Sequence, residues 1–339
     1  MSGSETEVEF SKDMTPEEAL EAAKGRAAGA YSAAMQAGDK WGALAVWDEV
    51  FAMAPEDWQM RSNLATILAG HGAVEQALEL LDRAEALGAP ASTLDQFRAA
   101  VKGEAPARPD MEYVQHMFDR GADAFDERLA SVGYQGPATM ELLMLSMDLP
   151  LEADYRVLDL GCGTGLCLPH LRPRAGKGGL VGVDISGEML RLAEARGGYD
   201  RLMQGDISKA EDLPEGPFDL VTAAEVFNYF GELRHTFALI HDLLAPAGLF
   251  IATFEAAPDG DGPDKDGPGF RLQPSARYQH RMEFVAAEAE AAGLTVALAA
   301  EIDSLRKEGA RDVPAHGVVF QRAQGAALGP QNDGDGDGE

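Results

Sequence analysis

The strongest chemical pattern in this chain is three glycines at alternate positions, Gly161, Gly163 and Gly165, with Asp159 just ahead of them in VLDLGCGTGLCLPHL. Glycines so spaced let the backbone approach a bound group closely and turn sharply beside it. A dinucleotide fingerprint sets its third glycine one residue later to seat a pyrophosphate. Here the third glycine comes early, and an anionic side chain beside the loop repels a pyrophosphate and suits an ammonium group. Asp184 closes GLVGVD, 25 residues beyond Asp159. A carboxylate at that spacing accepts hydrogen bonds from both hydroxyls of a ribose. In LMQGDIS, Asp206 and Ile207 come next, with a carboxylate suited to an adenine amino group.

The glycines alone carry little weight. With 38 glycines in 339 residues, three at alternate positions arise about 0.5 times by chance, and Gly334, Gly336 and Gly338 in the acidic tail repeat the spacing. The flanking elements separate the two. RVLDL reads as a short buried strand, and LCLPHL begins a helix whose amino end offers free N–H groups to a carboxylate. Apolar runs of strand length at 156–160, 179–184, 219–224 and 248–253 alternate with helical stretches at 186–196 and 232–244. That alternation predicts an open α/β sheet of parallel strands with crossover helices, which binds ligands at the carboxyl ends of its strands. LTVALAAEI (294–302) and VPAHGVVFQR (313–322) follow one another without a helix and predict an antiparallel hairpin at one edge.

Ahead of the sheet, residues 16–102 are alanine-rich and helical in pattern. Gly38, Ala43, Trp47 and Val50 recur as Gly72, Ala77, Leu81 and Ala84 at an offset of 34 residues, the period of a helix-turn-helix repeat. The expected organisation is a disordered stretch at 1–15, helical repeats at 16–102, a linker at 103–112 rich in proline and charge, an α/β domain at 113–324 and a disordered acidic tail at 325–339. The segment at 257–269 reads as a turn-forming, mobile loop.

Across about 112 to 322 the chain resembles the class I S-adenosylmethionine (SAM) methyltransferases, on the strength of Asp159 with its glycine loop, Asp184, and Asp206 with Ile207. The resemblance implies a Rossmann-like sheet ordered 3-2-1-4-5-7-6 with strand 7 antiparallel. It implies that Asp159, Gly161, Gly163 and Gly165 hold the methionine part of SAM, Asp184 the ribose, and Asp206 and the Ile207 backbone the adenine, with Cys162, Ile185 and Met189 alongside. S-adenosylhomocysteine (SAH) would be the product. In FDLVTAAEVFNYFGEL, Glu225 falls where cofactor and substrate meet, and in LLAPAGLFIATFE, Ala247 replaces the glycine usual in that turn. The repeats resemble tetratricopeptide repeats. A narrower resemblance is to bacterial predicted methyltransferases carrying such repeats, with MFDRGADAFDERLASVGYQGP as their lead-in helix and GFRLQPSARYQH as their segment after strand 5. In that segment Ala276 stands where a glycine is common. Phe118, Phe125 and Tyr134 are then candidate lid residues over SAM, core packing being the other reading.

Methyl transfer from a sulfonium is an in-line displacement, so the nucleophile must be held about 3 Å from the methyl with water excluded. A base is needed only when the acceptor carries a proton at working pH. Candidates are Glu225, Asn228 and Tyr229 after strand 4, and Arg277, Tyr278 and His280 after strand 5. Tyr278 and His280 are expected to position the substrate or accept its proton, and Arg277 to meet an acidic group on the substrate or an internal carboxylate. His235 and His241 are expected at the surface or in packing. The leading function is methylation of a small molecule. The alternatives are methylation of a peptide or protein held by residues 16–102, and a repeat-mediated interaction protein on a non-catalytic scaffold, with self-association through the repeats also open.

Composition narrows the partners. Fifty-seven acids against 28 Lys and Arg give a net charge of -29, which opposes nucleic acids and anionic membranes. The acidic start and the lack of a long apolar run predict a cytoplasmic protein. Cys162 and Cys167, with no C-x-x-C pair, indicate neither a metal site nor a disulfide and read as small packed residues.

Overall fold

The computed structural model describes residues 15–177, 179–257, 267–308 and 311–322, so residues 1–14, residues 258–266 of the expected 257–269 loop, and the acidic tail with its glycines lie outside the described residues. The chain divides into two compact units, one running to Gly103 and taking in Pro274–Ala276, the other formed by the remainder.

The first unit is helical: α1 (Pro16–Gln36), α2 (Lys40–Ala45), α3 (Asp48–Met53), α4 (Trp58–Gly70), α5 (Val74–Ala86) and α6 (Ala91–Lys102). Thr15 and Glu18 form a reciprocal capping box at the start of α1, and Asp39 and Asp57 cap α2 and α4 through their side chains. Fully buried Ala43, Ala65, Ala77 and Ala84 let helix backbones approach closely, and Leu64, Leu68, Leu80 and Leu81 fill the space between. Within the first repeat the chain breaks at Val46 and Trp47 into the two short helices α2 and α3.

The second unit opens with α7 (Met111–Gly121), α8 (Phe125–Ser131) and α9 (Gly136–Ser146). The single lead-in helix expected over 117–137 is thus interrupted at Ala122–Ala124. Its sheet then builds from β1 (Val157–Leu160), β2 (Leu180–Asp184), β3 (Arg201–Gln204), β4 (Phe218–Ala223), β5 (Leu244–Glu255), β8 (Leu294–Glu308) and β9 (Arg311–Arg322). Two short strands, β6 (Phe270–Leu272) and β7 (Tyr278–His280), form a separate antiparallel pair. The crossovers are α10 (Leu168–Leu171), α11 (Gly187–Arg196), α12 (Arg234–Leu243) and α13 (Met282–Ala291).

The seven strands lie in the order β3-β2-β1-β4-β5-β9-β8. The numbering departs from the expected 3-2-1-4-5-7-6 because β6 and β7 intervene in the chain without entering this sheet. Strands β1 to β5 are parallel, while β9 runs antiparallel to both β5 and β8. Every residue of β1 is buried, as a central parallel strand covered on both faces requires. Alternation along β5 feeds two cores: Leu249 and Ile251 join Met140, Leu143, Val157 and Val319 on one face. Phe250 and Phe254 stack with Phe320 and Phe227 on the other, at ring separations of 5.2 and 5.1 Å.

Two expectations need correction. The helix after the glycine loop is a single turn, since Pro173, which has no N–H to donate, sits in the short 3-10 turn that replaces its continuation, so it contributes little as a helix terminus. Residues 103–112 are not a free linker: the Ala107 carbonyl accepts from the Gly231 and Glu232 amides at 2.9 and 2.8 Å, and Arg108 donates to Ser208 Oγ at 2.7 Å. His241 is buried, which is the packing alternative expected for it. The two missing glycines remain visible in the backbone: Ala247 and Ala276 hold left-handed φ angles of 62° and 61°.

Candidate functional site

A cavity of about 120 Å³ lies at the carboxyl ends of β1 to β4, where open α/β sheets bind ligands. Asp159, Gly161, Cys162, Gly163 and Thr164 line it from the first strand end, Asp184, Ile185 and Met189 from the second, Gly205, Asp206 and Ile207 from the third, and Glu225 and Val226 from the fourth. Parallel strands in register bring the four turns together.

The glycine loop is held by its neighbours. Gly161 and Gly163 have φ angles of 62° and 54°, and a Cβ on Gly161 would overlap the Val226 side chain. The Gly163 amide donates to Asp184 Oδ2 and the Ser186 amide to Oδ1, both at 2.8 Å, so one carboxylate shapes both the loop and the start of α11. Gly165 is not among the lining residues; it packs against Tyr199 and Arg196 and serves the turn.

Asp159 accepts from Tyr199 Oη at 2.7 Å and Thr222 Oγ1 at 2.9 Å. Burial nonetheless raises its carboxyl from the ordinary 3.8 to about 6, the two hydrogen bonds opposing the shift. Asp184 is likewise raised by burial to about 6 against its backbone donors. In the ligand-free fold both groups therefore hold protons more tightly than in the unfolded chain, so their stabilising contribution is full below about pH 4 and lost as pH rises through 6. A ligand that needs both ionised must release protons on binding near pH 6. Titration calorimetry of SAH should give affinity rising between about pH 5 and 7 with net proton release there; a flat profile would remove these two carboxylates from recognition.

At the third strand end, Asp206 Oδ1 accepts from the Ser208 amide and hydroxyl at 2.9 and 2.7 Å. Oδ2 is buried and has no hydrogen-bond partner among the described residues, a cost that a ligand donor removes.

The rest of the cavity wall is aromatic and charged. Phe118, Phe125, Leu129, Tyr134, Tyr229 and Phe230 line it, with Phe118 edge-on to Phe125 and Tyr229. Glu225 sits there at φ 55°, strained for a residue with a side chain, and its amide donates to Thr253 Oγ1 at 2.8 Å. Its carboxylate meets Arg306 Nε at 3.2 Å and lies 3.9 Å from Arg277 Nη1. Burial raises the Glu225 carboxyl, and the two guanidiniums pull the other way. Arg306 also pairs with Glu255, which is 3% exposed, and with Glu308.

Tyr278 and His280 are not part of this site. Both point into the core from alternate positions of β7 and neither lines the cavity. His280 donates from Nε2 to the Phe230 carbonyl at 2.8 Å and stacks on Phe284, and burial lowers it to about 4, so it stays neutral and enclosed. Asn228 is also outside the lining and donates to Glu255 at 3.3 Å. His235, which is exposed, meets the Ser208 carbonyl at 3.0 Å. Sequence reasoning missed Tyr199, Thr222, Glu255 and Arg306. Thr222 and Glu255 lie on strands it had placed, whereas Arg306 is turned inward at an irregularity in β8 between Ile302 and Arg306 that no local pattern signals.

A family profile described as a methyltransferase domain matches residues 157–248. Demethylmenaquinone methyltransferase of Thermus thermophilus is 36% identical over 152 residues, which cover 42% of this chain and 67% of that protein. The chain belongs to the class I SAM-dependent methyltransferases. Malonyl-acyl-carrier protein O-methyltransferase of Geobacter sulfurreducens is 33% identical over 162 residues, 46% of this methyltransferase and 57% of the relative. Among solved structures, the 4+2 cyclase SpnF superposes with a TM-score of 0.52 at 17% identity over 64% of this chain and 98% of its own, a likeness of fold alone. The cofactor of this methyltransferase is SAM, and the donor set fits it: a loop of bare backbone flanked by acids, and a buried Asp206 oxygen awaiting a donor. No group of His, Cys, Asp and Glu among the described residues could hold a metal ion, and no described helix is long and apolar enough to cross a membrane.

Proposed function

We propose that this methyltransferase methylates a small molecule bound against the aromatic wall of the cavity, with SAM at the aspartates. The observation that carries the reading is a single cavity whose lining joins three aspartates at successive strand ends to an aromatic cluster with Glu225 and Arg277. Asp159 receives the ammonium of the methionine part, Asp184 the ribose hydroxyls, and Asp206 Oδ2 with the Ile207 backbone the adenine edge. When bound, SAM supplies a methyl on a positively charged sulfur. Glu225, kept basic by burial, takes a proton from the acceptor where one must leave. Phe118 and Phe125 exclude water. Incubating the protein with methyl-labelled SAM and the low-mass fraction of a cell extract tests this. A labelled small product is expected, and label confined to macromolecules would overturn it.

Helices α7 and α8 act as a latched lid in this reading. Ser186 Oγ donates to Asp119 Oδ1, Thr164 Oγ1 donates to Asp126 Oδ1 at 2.6 Å, and Arg196 pairs with Asp126. Asp126 thereby ties α8 to the glycine loop itself. Asp126→Ala should raise the SAH dissociation rate in stopped-flow fluorescence by about tenfold, through the loss of its two part-exposed contacts to Thr164 and Arg196.

A second reading rests on the helical unit, which exposes Trp41, Met53, Ile67 and Val74. Tetratricopeptide-like repeats presenting those residues would recruit a protein substrate. Deleting residues 1–105 would then abolish transfer to that partner while SAH binding persists.

A further inference from the structure

Arg277 is the one cationic side chain among the described residues lining the cavity, against four acids. Its guanidinium lies within ion-pair range of two carboxylates, yet its Nη1 hydrogen-bonds to neither. Arg306 makes the hydrogen bonds to Glu225 and Glu255, while Arg277 Nη1 lies 3.5 Å from Glu255 and 3.9 Å from Glu225 and has no hydrogen-bond partner among the described residues. Burial works against this guanidinium's charge, and Tyr229 with the two carboxylates more than compensates, so it stays ionised. Its carbon lies 5.9 Å from the Tyr229 ring centroid, which presents the planar group beside the aromatic wall. A buried charged donor lacking an acceptor is costly, and a planar oxyanion removes that cost through two parallel hydrogen bonds.

The geometry points to an acceptor that is an apolar, ring-sized carboxylic acid, its carboxylate paired with Arg277 and its ring packed against Phe118, Phe125 and Tyr229. This rests on the methyltransferase reading of the cavity and names its substrate class. A single cation can balance no more than one negative charge, whereas a phosphate would need further Lys or Arg. Arg277 is assigned recognition and positioning; no proton passes through it.

The test uses the full chain saturated with SAH, titrated calorimetrically with benzoate and trans-cinnamate and with their carboxamides. The carboxylates should bind about ten- to a hundredfold tighter than the neutral amides, the scale of a charge-assisted hydrogen-bonded pair. Arg277→Gln should erase that preference while SAH affinity shows that the variant is folded, and Arg277→Lys should restore only part of it because the fork is lost. Equal affinity for acids and amides, binding of neither at millimolar concentration, or a preference that survives Arg277→Gln overturns the inference. Failure of SAH to bind the wild type would instead overturn the cofactor reading on which it rests.

Discussion

Replacing Asp184 by alanine should weaken SAH binding by two to three orders of magnitude, the loss of about two charge-assisted hydrogen bonds. The effect has two sources. The carboxylate is the acceptor assigned to the ribose hydroxyls, and it also holds the Gly163 and Ser186 amides that shape the glycine loop and the start of α11. Asp184→Asn separates them: an amide keeps one oxygen for the backbone and loses the charge, so its loss should be intermediate. Calorimetry with SAH measures both, and thermal melts report whether the loop alone has failed. Full affinity in Asp184→Ala would move the ribose elsewhere.

The second large effect concerns stability. Arg306 is 3% exposed and pairs with Glu225, Glu255 and Glu308. Arg306→Met leaves the two buried carboxylates with only the longer contacts of Arg277, and should cost about 3–5 kcal/mol in urea unfolding at neutral pH. The deficit should narrow as pH falls. Burial already raises the Glu225 carboxyl, and without Arg306 it rises further, so protonation favours the folded variant in acid and the penalty grows as pH climbs through its folded value. Adding Glu255→Gln to Arg306→Met should recover part of the loss, because an uncharged amide needs no counter-ion. A variant as stable as the wild type at neutral pH would show that the network is dispensable to the fold.

The contrast between these two sites explains how far the sequence could be read. Asp159, Asp184 and Asp206 stand at strand ends, and strand ends follow from apolar runs such as RVLDL and GLVGVD, so their convergence was legible once the parallel sheet was inferred. The left-handed turn at Ala247 was legible through the family resemblance, as an alanine where a glycine is usual. Tyr278 and His280 were misread because a short strand alternates its faces. Tyr278 and His280 share one buried face of β7, whereas Arg277, one residue earlier, reaches the cavity. His280 follows strand 5 in the chain, but the phenylalanine core encloses it. Arg306 was out of reach altogether, since its inward turn depends on an irregularity 81 residues from the Glu225 it contacts. The lid latch depends on pairs such as Asp126 with Thr164 and Arg196, which no spacing along the chain relates.

The central claim, that the aspartate-lined part of this cavity is a SAM site, is tested most directly by titrating SAH into the wild-type protein. The expected result is saturable one-site binding with a dissociation constant of about 1–100 µM, or roughly -8 to -5 kcal/mol, accompanied by protection of the amides of residues 160–164 and 184–189 from hydrogen exchange. No binding at millimolar SAH, or binding that leaves those amides unprotected, would contradict it.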